Sequence, residues 1–528
     1  MKVLRVLSNT RVQISIVCIG LLLQVSCTKN YGHINTDRNT IATIGAAELP
    51  FLFARAEKEA TPSIWNYQIA QNLFADQYAQ YFACTATYFP SDRLVIRMDW
   101  VGAAFNPIYT DVVPQLQSIF EAADKASPEY ALANVLWVLV FHRVTDYWGP
   151  IPYFQAGVPA NSVPYDPQDK IYDDFFKRLA SAITVLKANQ SAKPYGDFDI
   201  MYAGDVVKWL KFANTLRLRL ALRISKVDPA RAKTEAEAAV ADGVLTTSPG
   251  EDAYVQRSLT GDDNNGLSIM SDWNEFRMSA SMESVLKGYA DPRMPVYFLP
   301  AVRTGTYEGE RNGLTATQLT QSVNLHDANS HAGPRWASTG YPGGTPGYLS
   351  TPQNVMAVAE AYFLRAEGAL LGWNMGGTAQ TLYEQGITNS MKQWGIADAA
   401  AITAYINSTA TPIAPNDFLN SPPVATIPVK WVAGNVATEN QQIATQKWLA
   451  MYPDGMEAWA DYRRSRYLKL YPVANSDNPD ITNTTTQWIR RIPFLLSEKQ
   501  NNGAEVDKAV GLLGGPDKVT TPLWWDKN

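Results

Sequence analysis

Cysteine and histidine are scarce in this chain, with 3 Cys and 4 His among 528 residues. A disulfide framework needs several pairs, and three thiols cannot supply one. Imidazole-rich metal sites and proton relays have little to draw on. Charge is also sparse at 18%, and the 45 Lys plus Arg stand against 50 Asp plus Glu, so no basic excess exists for a phosphate backbone and nucleic acid is not an expected partner. There is no Walker loop, no strand-linked GxGxxG, no HExxH and no GxSxG, which leaves phosphate cradles, zinc proteolysis and the serine elbow without sequence support. What the chain does have is apolar material, 46% of its residues, enough for a substantial core and too much for a disordered chain. It also has 15 Trp and 26 Tyr against 18 Phe, so most rings carry a polar handle suited to a wet interface.

The first thirty residues read as an address. Lys2, Arg5 and Arg11 precede an apolar run from Ile14 to Leu23, which ends at Val25, Ser26 and Cys27. A positive start, a short apolar stretch and small residues before a cut site describe a secretory signal, too short to span a bilayer. The cysteine after Val25 and Ser26 resembles a bacterial lipobox, with Cys27 as the lipidated first residue of the mature chain. The match departs at Gln24, with Leu23 one position further back. Cleavage takes away three positive charges and no acid, moving the net charge from −5 to −8 and leaving Cys84 as the only unmodified thiol. One acyl chain anchors marginally and two or more hold firmly, so a lipoprotein of this type stays on a membrane. The expected organisation is a signal at 1–26, a polar lipidated tether at 27–45 and a single domain at 46–528.

Helical periodicity dominates that domain. Ala131 to Trp148 is apolar nearly all round and stops at Gly149-Pro150, which predicts a buried helix. Asp205 reads as the N-cap of a helix to Ser225 with Arg217, Arg219 and Arg223 off its apolar stripe. A third runs from Asn354 to Leu371, closed by Gly372. Helices also fit 64–82, 171–186, 379–394 and 438–452, and strand alternation is scarce. The chain is therefore expected to be all-α, a scaffold of tetratricopeptide-like helix pairs at about 46–250 and 351–470, although the literal 34-residue signature is absent. Between about 250 and 350 Gly, Pro, Asn, Ser and Thr displace the helical period, which marks a loop-rich region; 85–99 and 407–429 are irregular too, and 471–528 is an irregular C-terminal segment.

Few residues suggest chemistry. His142 sits on a buried helix with Arg143 and Asp146, a trio better read as a satisfied core network than as a relay. His326, Asp327 and His331 do not have a recognised metal spacing. The run Asp262-Asp-Asn-Asn-Gly266 offers oxygen ligands of the kind calcium takes, but lacks the alternation and the distal Glu of an EF-hand loop, so no cofactor is expected. Among 50 acids some pair always has a useful separation, so a lipid-anchored glycoside hydrolase stays open as a second class. The better signal is aromatic. A ring on a Gly- and Pro-rich loop is not buried by a helical stripe, which makes Trp273, Trp336 and Tyr341 candidate ligand platforms, with Arg335, His326 and Tyr88 beside them. Two or three such platforms with hydrogen bonds give about −4 to −7 kcal/mol, millimolar to ten-micromolar binding.

Several segments together resemble the SusD/RagB family of outer-membrane lipoproteins from Bacteroidetes-type bacteria. They are Cys27 with His33-Ile-Asn-Thr-Asp-Arg-Asn39, Arg143-Val-Thr-Asp-Tyr-Trp-Gly-Pro-Ile-Pro-Tyr153, Tyr165-Asp-Pro-Gln168 with Ile171-Tyr172, and Gly204-Asp-Val-Val-Lys-Trp209 with Phe212 to Arg219. Further along come Ala359-Glu-Ala-Tyr-Phe-Leu-Arg-Ala-Glu-Gly368, Gln446 to Ala450 with Glu457-Ala-Trp459 and Arg463-Arg464, Arg490-Arg-Ile-Pro493 with Asn501-Asn502, and Pro522-Leu-Trp-Trp525. Each piece is weak alone, but their order spans nearly the whole chain. The resemblance implies a non-catalytic protein on the outer face of the outer membrane that captures oligosaccharide, or in some relatives peptide, and hands it to a SusC-like TonB-dependent transporter. It carries over no ligand-binding residue, because the family's motifs lie on the scaffold.

Overall fold

In the computed structural model, residues 44–339 and 346–527 are described; the signal at 1–26, Cys27, most of the tether and Tyr341 lie outside them. The longer helices are α1 Leu49–Glu59, α2 Val113–Ala122, α3 Pro128–Trp148, α4 Gln168–Ala188, α5 Val206–Arg223, α6 Pro229–Asp242, α7 Ala280–Gly288, α8 Val358–Leu370, α9 Ala379–Gln393, α10 Ala399–Ile406, α11 Val436–Met451, α12 Gly455–Ser465 and α13 Gly503–Leu512. Strands are four and short among the described residues: β1 Phe82–Cys84, β2 Ala253–Val255, β3 Phe276–Met278 and β4 Gln353–Met356. They pair antiparallel as β1 with β3 and β2 with β4. From Glu48 onward the chain is one body, and it is mostly helical with a tetratricopeptide-like scaffold.

The helices start where local chemistry tells them to. Ser127 accepts from the Tyr130 amide at 3.2 Å to open α3, and Pro128 fills the first turn, where a missing N–H costs nothing. Asp205 caps α5 by accepting from the amides of Val207 and Lys208 at 3.0 and 3.1 Å. Such a cap contributes about 1 kcal/mol. Nearly all of α3 is buried, as its apolar circumference demands. It ends at Gly149, whose φ of +87° suits glycine, with Leu513 and Leu523 packed where a side chain would stand. Helix α3 packs on α4, α5 on α6 and α8 on α9; short connections join the second and third pairs, and residues 149–167 link α3 to α4.

Three expectations need correction. The third helix begins at Val358 rather than Asn354, because Gln353–Met356 pairs with β2. Residues 64–82 hold a wide π-helical segment, Gln68–Asp76, before the chain turns into β1. The C-terminal segment is not wholly irregular, since it contains α13 and the short helix Leu496–Asn501.

Arg219 and Arg223, off the apolar stripe of α5, are buried and not solvated. The Arg219 guanidinium donates twice to Glu360 on α8, both at 2.7 Å, and Arg223 donates to both oxygens of Glu457 on α12 at 2.6 Å. Asp461, Lys447, Glu367 and Arg464 continue this network between α8, α11 and α12, with Lys447 Nζ 2.8 Å from Asp461. The carboxylates of this layer stay buried because each meets a cation. Lys447 and Arg464 overcome the burial penalty at Asp461 and hold its carboxyl far below the usual range. His142 lies inside this layer, with Nδ1 3.2 Å from the Val138 carbonyl and Nε2 3.4 Å from Arg219. Burial first, then the arginines 219, 143 and 223, push its pKa well below the ordinary value, so the ring is neutral and structural. Cys84 is a buried free thiol.

Candidate functional site

The ladder of β1 and β3 places two irregular segments side by side. Its last pair is Cys84 with Phe276, and the pairing continues as the Thr85 amide donates to the Glu275 carbonyl at 3.0 Å and Thr85 Oγ1 donates to the Asn274 carbonyl at 2.7 Å. Asn274 has φ +61°, a left-handed conformation that Asn tolerates better than most residues. This tight corner between the helical turn Gly266–Ser271 and β3 leaves Trp273 44% exposed.

Glu275 ties the site together. One carboxylate oxygen accepts from Gln68 Nε2 at 2.5 Å and the other from the Tyr88 hydroxyl. Tyr88 is therefore held at its tip while 65% exposed. Its pKa is pushed up to about 12, first by burial of the hydroxyl and then by the Glu275 carboxylate, so the phenol keeps its proton. The Tyr88 ring rests against Phe89 at 4.6 Å, Phe89 against Trp100 at 5.7 Å, and the Arg97 guanidinium covers Trp100 at 3.9 Å. One helical turn before Gln68, whose amide donates to its carbonyl, stands Trp65, 55% exposed. The exposed rings of residues 65, 88 and 273 are thus carried by three segments that meet at one carboxylate. Such a surface offers apolar faces for stacking and charged or amide groups for hydroxyl recognition.

The other sequence candidates are placed differently. Arg277 links His326 to this site: its Nε donates to the His326 carbonyl at 2.8 Å and its Nη2 to Asn274, while the imidazole is exposed. Arg335 is half-buried, with its guanidinium over the Trp394 ring at 4.8 Å. Trp336 is a correction. It is 2% exposed, with its ring 5.8 Å from Trp394 and, edge to face, 5.6 Å from Tyr452. The reasoning that a loop ring escapes burial fails because the loop itself folds over α9 and the end of α11, whose aromatic residues receive it. Tyr341 lies outside the described residues.

Asp327 is held by Arg303 through two contacts of 2.7 and 2.9 Å, and His331 Nδ1 donates to the Ala332 carbonyl at 2.8 Å, so these residues serve the loop. Asn265 caps the helical turn through the Ser268 amide, and Asp263 pairs with Arg257 at 3.1 Å. Among the described residues no group of three or more His, Cys, Asp or Glu is arranged to hold a metal. Sequence reasoning missed Glu275, Gln68 and Trp65. Nothing separates Glu275 from the other acids in one dimension, and the periodicity that predicts a helix over 64–82 takes in Trp65, whereas the helix begins after it.

Comparison with known proteins agrees with this architecture. The family model described as SusD-like, SusD and RagB outer membrane lipoprotein, matches residues 34–526. A chitin-binding SusD homolog from Flavobacterium johnsoniae is 37% identical with a TM-score of 0.81, covering 91% of this chain and 99% of its own. A SusD-like protein from Bacteroides thetaiotaomicron is 32% identical with the same TM-score and the same coverage of both chains. A SusD homolog from Bacteroides uniformis is 31% identical, with a TM-score of 0.80. None of the curated proteins compared matches the chain. A full-length family match, joined to a helix-pair scaffold that superimposes on these solved structures, places this chain in the SusD/RagB family of outer membrane lipoproteins.

Proposed function

We propose that the protein binds oligosaccharide outside the cell, without transforming it, and delivers it to a SusC-like TonB-dependent transporter while anchored through lipid on Cys27. The observation that carries this reading is the exposed Tyr88 and Trp273 pair, joined through Glu275 and Asn274 on a rigid ladder. Rings fixed in place lose little freedom when a sugar stacks on them, so their apolar area converts to affinity. The name of the Flavobacterium relative makes chitin oligosaccharides the first ligand to try. Peptide is the second ligand class.

Titration calorimetry with chitin oligosaccharides should give a dissociation constant between about 1 mM and about 10 μM. Replacing both Tyr88 and Trp273 by Ala should weaken it at least about tenfold. Equal affinity in the double variant would remove these rings from the site, and saturable binding of peptides alone would replace sugar by peptide. Cys27→Ser should release the protein from the membrane fraction.

A further inference from the structure

A second recess opens between the turn that precedes α2 and the chain that links α3 to α4. One wall is the stretch from Asn106 to Thr110 and the other is the loop 155–163; Glu498 and Asn502, from the short helix Leu496–Asn501 and its end, complete the lining. As a single space it measures about 330 Å³. That falls within the range of small-ligand sites, about 300 to about 1,000 Å³, and is more than twice the cavity of about 150 Å³ that holds benzene.

Both walls are fixed in place. Gln117 on α2 donates to the Ala156 carbonyl at 3.0 Å, and Gly157, with φ +81°, sits so close to Val113 that a side chain would not fit. At the far end of the loop Asn502 donates to the Val163 carbonyl at 2.7 Å and accepts from the Ser162 hydroxyl at 3.0 Å. Across the recess the Tyr109 hydroxyl donates to the Pro152 carbonyl at 2.7 Å, and its ring stacks on Phe105 at 4.5 Å. Burial first, then Tyr165 and Glu498, push the Tyr109 pKa well above its ordinary value, so the phenol stays neutral. Among the described residues the side-chain amides of Asn106, Gln155 and Asn161 meet no protein partner, and all three are exposed on the walls. Glu498 is the one charged side chain of the lining, and Tyr165 donates to only one of its oxygens, at 2.9 Å.

We propose that this recess binds a neutral saccharide of one or two residues. Each free amide offers a donor and an acceptor, the free oxygen of Glu498 offers an acceptor, and a sugar hydroxyl answers both because it donates and accepts. The half-buried Tyr109 ring, with Ala156 and Ala160, supplies the apolar surface on which the carbon face of a sugar ring rests. Phosphate and carboxylate ligands are disfavoured, since no cation lines the recess and Glu498 repels them. Peptide is disfavoured too, because residues 155–163 contain no strand edge on which an extended chain could pair. Walls already held by the protein's own hydrogen bonds lose little freedom when a guest arrives. This site goes beyond the patch at Glu275, shares no residue with it, and does not depend on the function proposed for it.

The test is ligand-observed saturation-transfer NMR with maltose, cellobiose, lactose and N,N′-diacetylchitobiose, on the full chain carrying Tyr88→Ala and Trp273→Ala so that the rings of the Glu275 patch are gone. At least one disaccharide should still saturate below about 100 mM. Ala at Asn106, Gln155 and Asn161 together should weaken it at least about tenfold. Because those side chains serve no protein group, the same change should move Tm by less than about 1.5 °C. Glucuronic acid should bind at least about tenfold more weakly than glucose, owing to Glu498. The proposal is overturned if none of the four disaccharides saturates, if the triple Ala change leaves the affinity as it was, or if glucuronic acid binds as tightly as glucose. Saturation by acetyl-trialanine-amide and by no sugar would assign the recess to peptide and overturn it as well. Sugar binding that is present in wild type and absent once Tyr88 and Trp273 are replaced would overturn this second site while leaving the reading of the Glu275 patch intact.

Discussion

Replacing Trp336 by Ala empties one of the largest fully buried side chains of the molecule. The ring packs between Trp394 and Tyr452, with centroids 5.8 and 5.6 Å away, so truncation forfeits burial, two aromatic contacts and the dispersion around them. Core Trp-to-Ala changes cost about 3 to 5 kcal/mol. A body of roughly 480 residues unfolds with an entropy near 1 kcal/mol per kelvin at about 2.1 cal/mol/K per residue, which converts that cost to a fall in Tm of about 3 to 5 °C. Trp273→Ala, at an exposed corner, should move Tm by less than about 0.5 °C, within the range of ordinary surface changes. Differential scanning calorimetry of the two variants, with oligosaccharide titrations on the same samples, separates the roles. Trp336→Ala should lower Tm and keep its affinity, and Trp273→Ala should do the reverse. A Trp336→Ala protein with unchanged Tm and lost binding would refute the assignment of this ring to the core.

Two further outcomes follow from the buried charge layer. Glu457→Gln removes the carboxylate that receives both Arg223 contacts and lies 3.6 Å from Arg219, leaving buried guanidinium charge uncompensated; such losses cost about 3 to 5 kcal/mol, read as a fall in Tm of similar size in degrees, and a fall below about 1 °C would contradict the network. His142 stays neutral in the fold, whereas in the unfolded chain it takes a proton near pH 6.5. Below that pH the unfolded state therefore binds more protons, and this residue's contribution to stability falls by up to about 1.4 kcal/mol per pH unit. The Tm advantage of wild type over His142→Gln should shrink between about pH 7.5 and about pH 5, and parallel curves for the two proteins would show that the ring is not held neutral.

Helices with strong apolar periodicity and a capping residue are legible in the sequence itself. The run from Ala131 to Trp148 and the cap at Asp205 are local facts, written in residues three or four positions apart. The same holds for the order of segments that marks the family. The reading failed at Asn354, where the periodicity continues across a stretch that pairs with Ala253–Val255, a hundred residues away. The stripe of α5 does not say where the arginines beside it go, because a guanidinium is buried or solvated according to whether a carboxylate from another helix meets it.

The candidate site was only half visible. Tyr88 and Trp273 stand on irregular chain, where no helix stripe consumes a ring, and both are exposed. Trp336 satisfied the same rule and is buried, since the rule knows nothing of what a loop folds against. What the chain determined alone is the strongly periodic helices, the family and the supply of rings, all of which follow from short-range pattern and composition. Which rings face outward, which acid gathers Gln68 and Tyr88, and which loop Asn502 clamps were decided by contacts between residues far apart in sequence. No periodicity encodes those contacts, because they arise only once packed helices bring distant segments to one place.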